Sequence, residues 1–127
     1  MEKLSPILSA AAVTLLLRTA NTLAVGHSTK LDYSVAGKNF AGHIAMPTQP
    51  AKGTIYIIHD WNGLDDYEIG RAEMLAEQGY NAIAIDLFGV DAKLEGRDDY
   101  RRETGALYKD RETFRARIKA AISAGQT

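Results

Sequence analysis

Cysteine is missing altogether from these 127 residues. That excludes disulfides, thiolate metal sites and a thiol nucleophile within the chain. An excess of charge of one sign is also missing: 15 Lys and Arg stand against 16 Asp and Glu, for a net charge of -1. Such a balance gives no reason to expect nucleic acid or an anionic membrane surface as partner. There is no P-loop, dinucleotide fingerprint or H-E-x-x-H, and no internal repeat or low-complexity tract. The three histidines, His27, His43 and His59, stand 16 residues apart, which fits neither helical nor strand ligand spacing and argues against a metal site built from them. What is present, 46% hydrophobic and 24% charged residues, is the composition of a globular chain rather than a disordered one. At this length it forms one domain at most, shorter than an ordinary α/β enzyme.

The stretch from Gly53 to Asp86 organises the rest. Thr54 to Ile58 and Ala82 to Ile85 are short apolar runs without alternation, as in strands covered on both faces. Between them Ile69, Ala72, Leu75 and Ala76 fall on one helical face, while Glu68, Arg71, Glu73 and Glu77 point elsewhere. Asp65 or Asp66 can cap the first turn, and Gly79 supplies the left-handed residue that ends the helix. Two strands joined through a helix predict a parallel βαβ unit with a right-handed crossover. His59 to Leu64 then lies at the carboxyl end of the first strand, where open α/β sheets keep their ligands.

Before this unit, Lys3 and the free amino group precede an apolar run from Ile7 to Leu17, and Thr22-Leu23-Ala24 resembles a signal-peptidase site. Residues 1–24 read as a secretory signal, too short in their apolar part for a membrane span of roughly 20 residues; the alternative is a buried or disordered N-terminal helix of a cytoplasmic chain. The expected location is therefore exported, periplasmic or secreted, with 25–127 as the folded part and no stable membrane partner. Leu31, Tyr33 and Val35 alternate, then Phe40, Ile44 and Met46 after Ala36-Gly37-Lys38, which predicts a hairpin with strands from Lys30 to Val35 and from Phe40 to Met46. Asp32, Ser34, Ala41, His43 and Ala45 would take its solvent face. After Asp86 a polar connection leads to a helical segment from about Asp98 to Ala124, broken near Tyr108 to Asp110. Its later half carries the stripe Phe114, Ile118, Ala121 and Ile122, with Arg111, Arg115, Arg117 and Lys119 on a solvated face and Gly125 closing it.

His59-Asp60-Trp61-Asn62-Gly63-Leu64 is the loop that can carry chemistry. A sharp turn from a strand into a helix can leave N–H groups free to hold an oxyanion. Trp61 can wall a pocket, and Asp60 can act electrostatically on a substrate or nucleophile. Each also has a plain structural reading: His59 as a hydrogen-bonded strand end, Asp60 as a turn residue, Trp61 as core. The local sequence leaves these choices open.

I-I-H-D-W-N-G-L, R-A-E-M-L-A-E-Q-G-Y, A-I-A-I-D-L-F-G and D-R-E-T-F-R-A-R-I-K-A-A-I, in that order between about Leu31 and Ala124, resemble the dienelactone hydrolase family of α/β-hydrolases. The resemblance implies the N-terminal half of an α/β-hydrolase fold, with an antiparallel hairpin leading into a mostly parallel sheet flanked by helices. It implies a hydrolase of small ester or lactone substrates that uses a Cys or Ser nucleophile, an Asp and a His, with no metal and no organic cofactor. Asp60 matches the family's acidic residue near the nucleophile, usually Glu there, and the Trp61 backbone N–H matches its oxyanion donor. Asn62 is a candidate substrate contact. The resemblance implies Arg101 or Arg102 as the Arg that holds a substrate carboxylate. The family's nucleophile elbow, triad Asp and His are expected after Thr127, and neither Ser34, in the hairpin, nor Ser123, in the last helix, stands in such an elbow. The 127-residue chain is therefore expected not to turn over substrate. The alternative is a non-catalytic exported binding or interaction module made from half of the hydrolase sheet. In the α/β-hydrolase order the third strand lies between the fourth and the fifth. Without a fifth, Thr54 to Ile58 would present an open edge that invites self-association. A nucleotide-binding βαβ protein is disfavoured, because the first loop lacks the required Gly spacing.

Overall fold

The computed structural model describes residues 24–126; apart from Ala24, the expected signal segment lies outside them. The elements are β1 (Val25–Val35), β2 (Lys38–Pro47), β3 (Thr54–Ile58), α1 (Asp66–Glu77), β4 (Asn81–Ile85), α2 (Arg97–Lys109) and α3 (Arg111–Ala124). One sheet takes the order β1-β2-β4-β3. β2 runs antiparallel to both β1 and β4, whereas β3 and β4 are parallel with α1 as their crossover.

The hairpin turns on Ala36 (φ 51°) and Gly37 (φ 74°), two left-handed residues in succession. That is the two-residue turn whose twist matches the flanking strands. Tyr33 and Phe40 stand opposite each other across it and stack at 5.4 Å. β1 starts at Val25 rather than Lys30. Its polar beginning shows no hydrophobic alternation, yet it is held because β2 is long enough to pair back to Pro47. Ala45 is a second correction: expected on a solvent face, it is fully buried. α1 crosses that face and sets Ala72 and Ala76 against Ala45 and Ala82, small residues that let helix and sheet approach closely. His43, on the same face, is half-buried and bonded to Ser28 Oγ at 2.8 Å, and that hydroxyl donates to Glu73 at 2.7 Å.

The larger core lies on the opposite face, where Phe40, Ile83, Ile85, Leu87 and Phe88 meet Leu107 of α2 and Ala121 of α3. Each large side chain buried there contributes roughly 1.5–3 kcal/mol. Asp65 caps α1, accepting from Tyr67 N–H at 2.8 Å, and Glu68 turns back to accept from Asp65 N–H at 3.1 Å. Glu68, read from its spacing as pointing away from the apolar face, is therefore buried as the second half of a capping box. Gly79, at φ 93°, follows the helix as expected. The late helical segment divides at Asp110, which ends α2 and caps α3 by accepting from Thr113 N–H at 3.0 Å and Thr113 Oγ1 at 2.7 Å. The Thr113 backbone bond, followed by its hydroxyl, holds the Asp110 carboxyl below the usual carboxylate range.

The two parallel strands are not alike in burial. β4 is buried from Ala82 to Ile85, but β3 is half-buried through its middle, with Thr54 and Ile58 exposed. Double coverage, expected of both, holds only for β4, because β3 is the last strand of the sheet.

Candidate functional site

β3 and β4 end side by side, so the loops that follow them leave the same end of the sheet. The loop after β4 is tied down. The Asp86 carboxylate accepts from Ala41 N–H at 3.1 Å, Phe88 N–H at 2.9 Å and Gly89 N–H at 3.0 Å, and its backbone carbonyl accepts from the Tyr33 hydroxyl. Arg117 reaches in from α3, donates to the Leu87 carbonyl at 2.6 Å and lies over the Phe40 ring. It therefore leaves the solvated basic face expected for its helix and fastens the loop to the core.

His59 joins the two loops. Leu87 N–H donates to His59 Nε2 at 3.1 Å, so that nitrogen carries a lone pair and Nδ1 carries the proton, which it donates to the Asp60 carbonyl at 2.7 Å. With its lone pair occupied, its ring packed edge-on to Phe88 and 7% exposure, His59 takes the structural of its two readings.

Asp60 and Trp61 are different: both are exposed at the tip of β3. They line a cavity of about 410 Å³ walled by Ile58, Leu87, Phe88 and Leu107. Trp61 is 42% exposed, with its ring edge-on to Tyr100 at 5.3 Å. Its carbonyl accepts from Thr104 Oγ1 of α2 at 3.2 Å, which holds the Trp61–Asn62 peptide from the far wall, while the preceding peptide, which carries the Trp61 N–H, is held by His59 Nδ1 on the Asp60 carbonyl. Among the described residues nothing accepts the Trp61 N–H. Gly63 completes the turn at φ 94°, where a side chain would be strained and would also press on Leu94 and Phe88.

The other candidate residues do not line this cavity. Asn62 braces the loop: its N–H donates to Asp60 Oδ1 at 3.2 Å and its side chain to Asp65 Oδ2 at 3.0 Å. Arg101 lies exposed on α2. Arg102 pairs with Asp99 at 2.6 Å and with Glu103 at 3.3 Å and donates to the Lys93 carbonyl, which fastens the connection before α2. Tyr100 and Thr104, one turn apart on α2, were not singled out from sequence. Nothing in their local pattern separates them from ordinary polar helix positions. Among the described residues no three His, Asp or Glu side chains come together as metal ligands would.

A mixed sheet whose parallel pair opens an apolar cavity at its carboxyl end, beside the loop leading into α1, defines an α/β protein of hydrolase-like architecture. The dienelactone hydrolase family matches residues 40–127, more than half of the sequence, and the chain belongs to that family. Among solved structures, one titled m3DLH is 26% identical with a TM-score of 0.71, over 77% of this chain and 42% of its own. A dienelactone hydrolase-like promiscuous phosphotriesterase, P91, from metagenomic libraries, is 25% identical with a TM-score of 0.71, over 80% of this chain and 43% of its own. The chain thus spans less than half the length of either. No curated protein matches.

Proposed function

We propose that these residues form the oxyanion-binding part of a dienelactone hydrolase-like enzyme acting on small esters or lactones. The observation that carries this reading is the unpaired N–H of Trp61 at the tip of β3, beside an apolar cavity of about 410 Å³. In the proposed reaction a nucleophile attacks the acyl carbon, charge develops on the former carbonyl oxygen, and the Trp61 N–H donates to it. A preorganised donor of this kind is worth on the order of 100- to 1000-fold in rate. His59, donating from Nδ1 to the Asp60 carbonyl, keeps the peptide that carries the Trp61 N–H from turning, and Thr104 holds the peptide after it. Asp60 bears on the ionisation of the nucleophile through its charge, while Ile58, Leu107 and Phe88 take the apolar part of the substrate. Arg101 and Arg102, outside the cavity, could reach a substrate carboxylate only if their side chains moved, Arg102 by breaking its ion pairs.

The sequence contains no nucleophile elbow and no cysteine, so the 127-residue chain is expected to bind substrate-like molecules without turning them over. Export directed by residues 1–24 belongs to the same proposal, and release of the segment after Ala24 in a secreting host tests it. Trp61 is the only tryptophan, so its fluorescence and its amide resonance report on the cavity without interference. A small lactone, and a neutral phosphotriester as a second probe, are expected to shift both signals, while p-nitrophenyl ester hydrolysis stays at background. Saturating lactone that leaves the Trp61 amide unmoved would sink the oxyanion reading. Hydrolysis clearly above background would sink the expectation of inactivity.

A further inference from the structure

The turn that presents Trp61 has a weak point. Gly63, two residues on, sits at φ 94° with no side chain of its own to anchor it. The space beside it is filled from outside: a Cβ at Gly63 would lie 3.1 Å from Leu94 Cδ1 and 3.2 Å from the Phe88 ring. Leu94 belongs to the irregular connection between β4 and α2, and it is half-buried against the larger core. No strand ladder or helix fixes its backbone. Two side chains of α2 do so instead. Arg102 donates to the Lys93 carbonyl at 3.1 Å, and Asp99 accepts from Glu95 N–H at 3.0 Å, so the backbone is held on either side of Leu94. The two holding side chains are joined to each other, Arg102 to Asp99 at 2.6 Å. Lys93 and Glu95 pair at 3.3 Å over the outer surface, which leaves Leu94 between them turned inward.

We propose that Arg102 is a positioning residue for the proposed reaction: with Asp99 it clasps the connection around Leu94, and Leu94, pressed on Gly63, fixes the turn that presents the Trp61 N–H. This role rests on the oxyanion reading of Trp61, and it differs from the substrate carboxylate contact that the resemblance implied for Arg102. A guanidinium suits it because its fork of donors is planar and fixed, so one side chain serves the Asp99 carboxylate and the Lys93 carbonyl at once. The same helix grips the turn a second time, through Thr104 on the Trp61 carbonyl and Tyr100 against the Trp61 ring. Trp61 and Gly63 are thus both set by α2, on either side of Asn62. As a contribution to folding the clasp is minor: the Arg102 side chain is 52% exposed in its ion pair, and exposed pairs contribute little. Its effect falls on geometry, where a displacement of about 1 Å can cost on the order of 100-fold in rate.

Lactone titration of the 127-residue chain, followed through the Trp61 and Gly63 amide resonances, tests the clasp. The probes are a neutral lactone and the same lactone bearing a carboxylate. Arg102→Ala is expected to weaken binding of both probes about fivefold. It is also expected to shift the two amides already in the free chain and to leave the urea midpoint nearly unchanged. Leu94→Ala is expected to weaken binding by a similar factor, and the double variant no further than Leu94→Ala alone, since Arg102 acts through Leu94. Urea unfolding confirms that each variant is folded. Affinity lost for the carboxylate lactone alone would make Arg102 a substrate contact and overturn the proposal. So would losses that add in the double variant, or free-chain Trp61 and Gly63 resonances that Arg102→Ala leaves in place. A neutral lactone that fails to move Trp61 in the unaltered chain overturns the oxyanion reading instead, and the free-chain resonances then decide whether the clasp holds the turn.

Discussion

Asp60 lies two residues beyond β3 and Asp86 one residue beyond β4, so the parallel pair carries an acidic residue at the end of each strand. Asp86 is 8% exposed and gathers three backbone N–H groups, whereas Asp60 is exposed and accepts one, from Asn62. The difference follows from position in the sheet. β4 lies between β2 and β3, so its loop is pressed among Ala41 of β2, Tyr33 of β1 and Arg117 of α3. β3 lies at the border, and its loop is steadied by His59, by Asn62 within the loop and by Thr104 and Tyr100 of α2. The same side chain is a buried keystone in one loop and an available charge in its neighbour.

The sharpest test of this contrast is Asp86→Ala, which leaves the N–H groups of Ala41, Phe88 and Gly89 without their acceptor. Each unsatisfied buried donor costs roughly 1–3 kcal/mol, and partial rescue by water leaves an expected loss of at least about 3 kcal/mol in urea unfolding. A loss below about 1 kcal/mol would mean that the loop is held by packing alone.

Tyr33 gives an intermediate effect with a pH signature. Burial, then the Asp86 charge, pushes its phenol well above the ordinary range, although its bond to the Asp86 carbonyl and nearby Arg117 pull the other way. A raised folded value means that the folded state holds the proton more tightly than the unfolded chain. This contribution is therefore complete below the unfolded value of about 10 and is lost as pH rises beyond it. Tyr33→Phe is expected to cost about 1 kcal/mol at neutral pH through the lost hydrogen bond. It should also flatten the alkaline fall in the urea midpoint; an unchanged alkaline slope would assign that fall to other tyrosines.

Asp60→Ala is the smallest of the three. Only the Asn62 N–H loses a partner, in a solvated loop, and the expected change in stability is within about 0.5 kcal/mol. A loss comparable to that of Asp86→Ala would erase the distinction between the loops.

Most of the frame was legible in the sequence because it rests on local rules. The hairpin follows from alternation and Ala36-Gly37, α1 from its apolar spacing and the Asp65 and Gly79 boundaries, and the β3–α1–β4 unit from the order of patterns. The candidate loop was placed correctly at the carboxyl end of β3 because parallel pairing leaves it nowhere else. The errors fall where a distant element supplies the partner. Ala45 looked solvent-facing until α1 covered it, and Arg117 looked solvated until its guanidinium met the Leu87 carbonyl. β3 looked as well covered on both faces as β4, whereas its middle is only half-buried, although its place at the edge of the sheet is the one the resemblance implied.

By itself, then, the sequence determined which segments become strands and helices, where they begin and end to within a few residues except at the start of β1, and the family to which they belong. Periodicity, caps and turn residues act over a handful of neighbouring positions. Only the tertiary structure decided which aspartate is locked and which is free, that His59 spends its lone pair on Leu87, and that Tyr100 and Thr104 brace Trp61. Those outcomes depend on groups 28 to 45 residues apart in the chain, brought together by the packing of helices and strands, and no local pattern encodes which of them will meet.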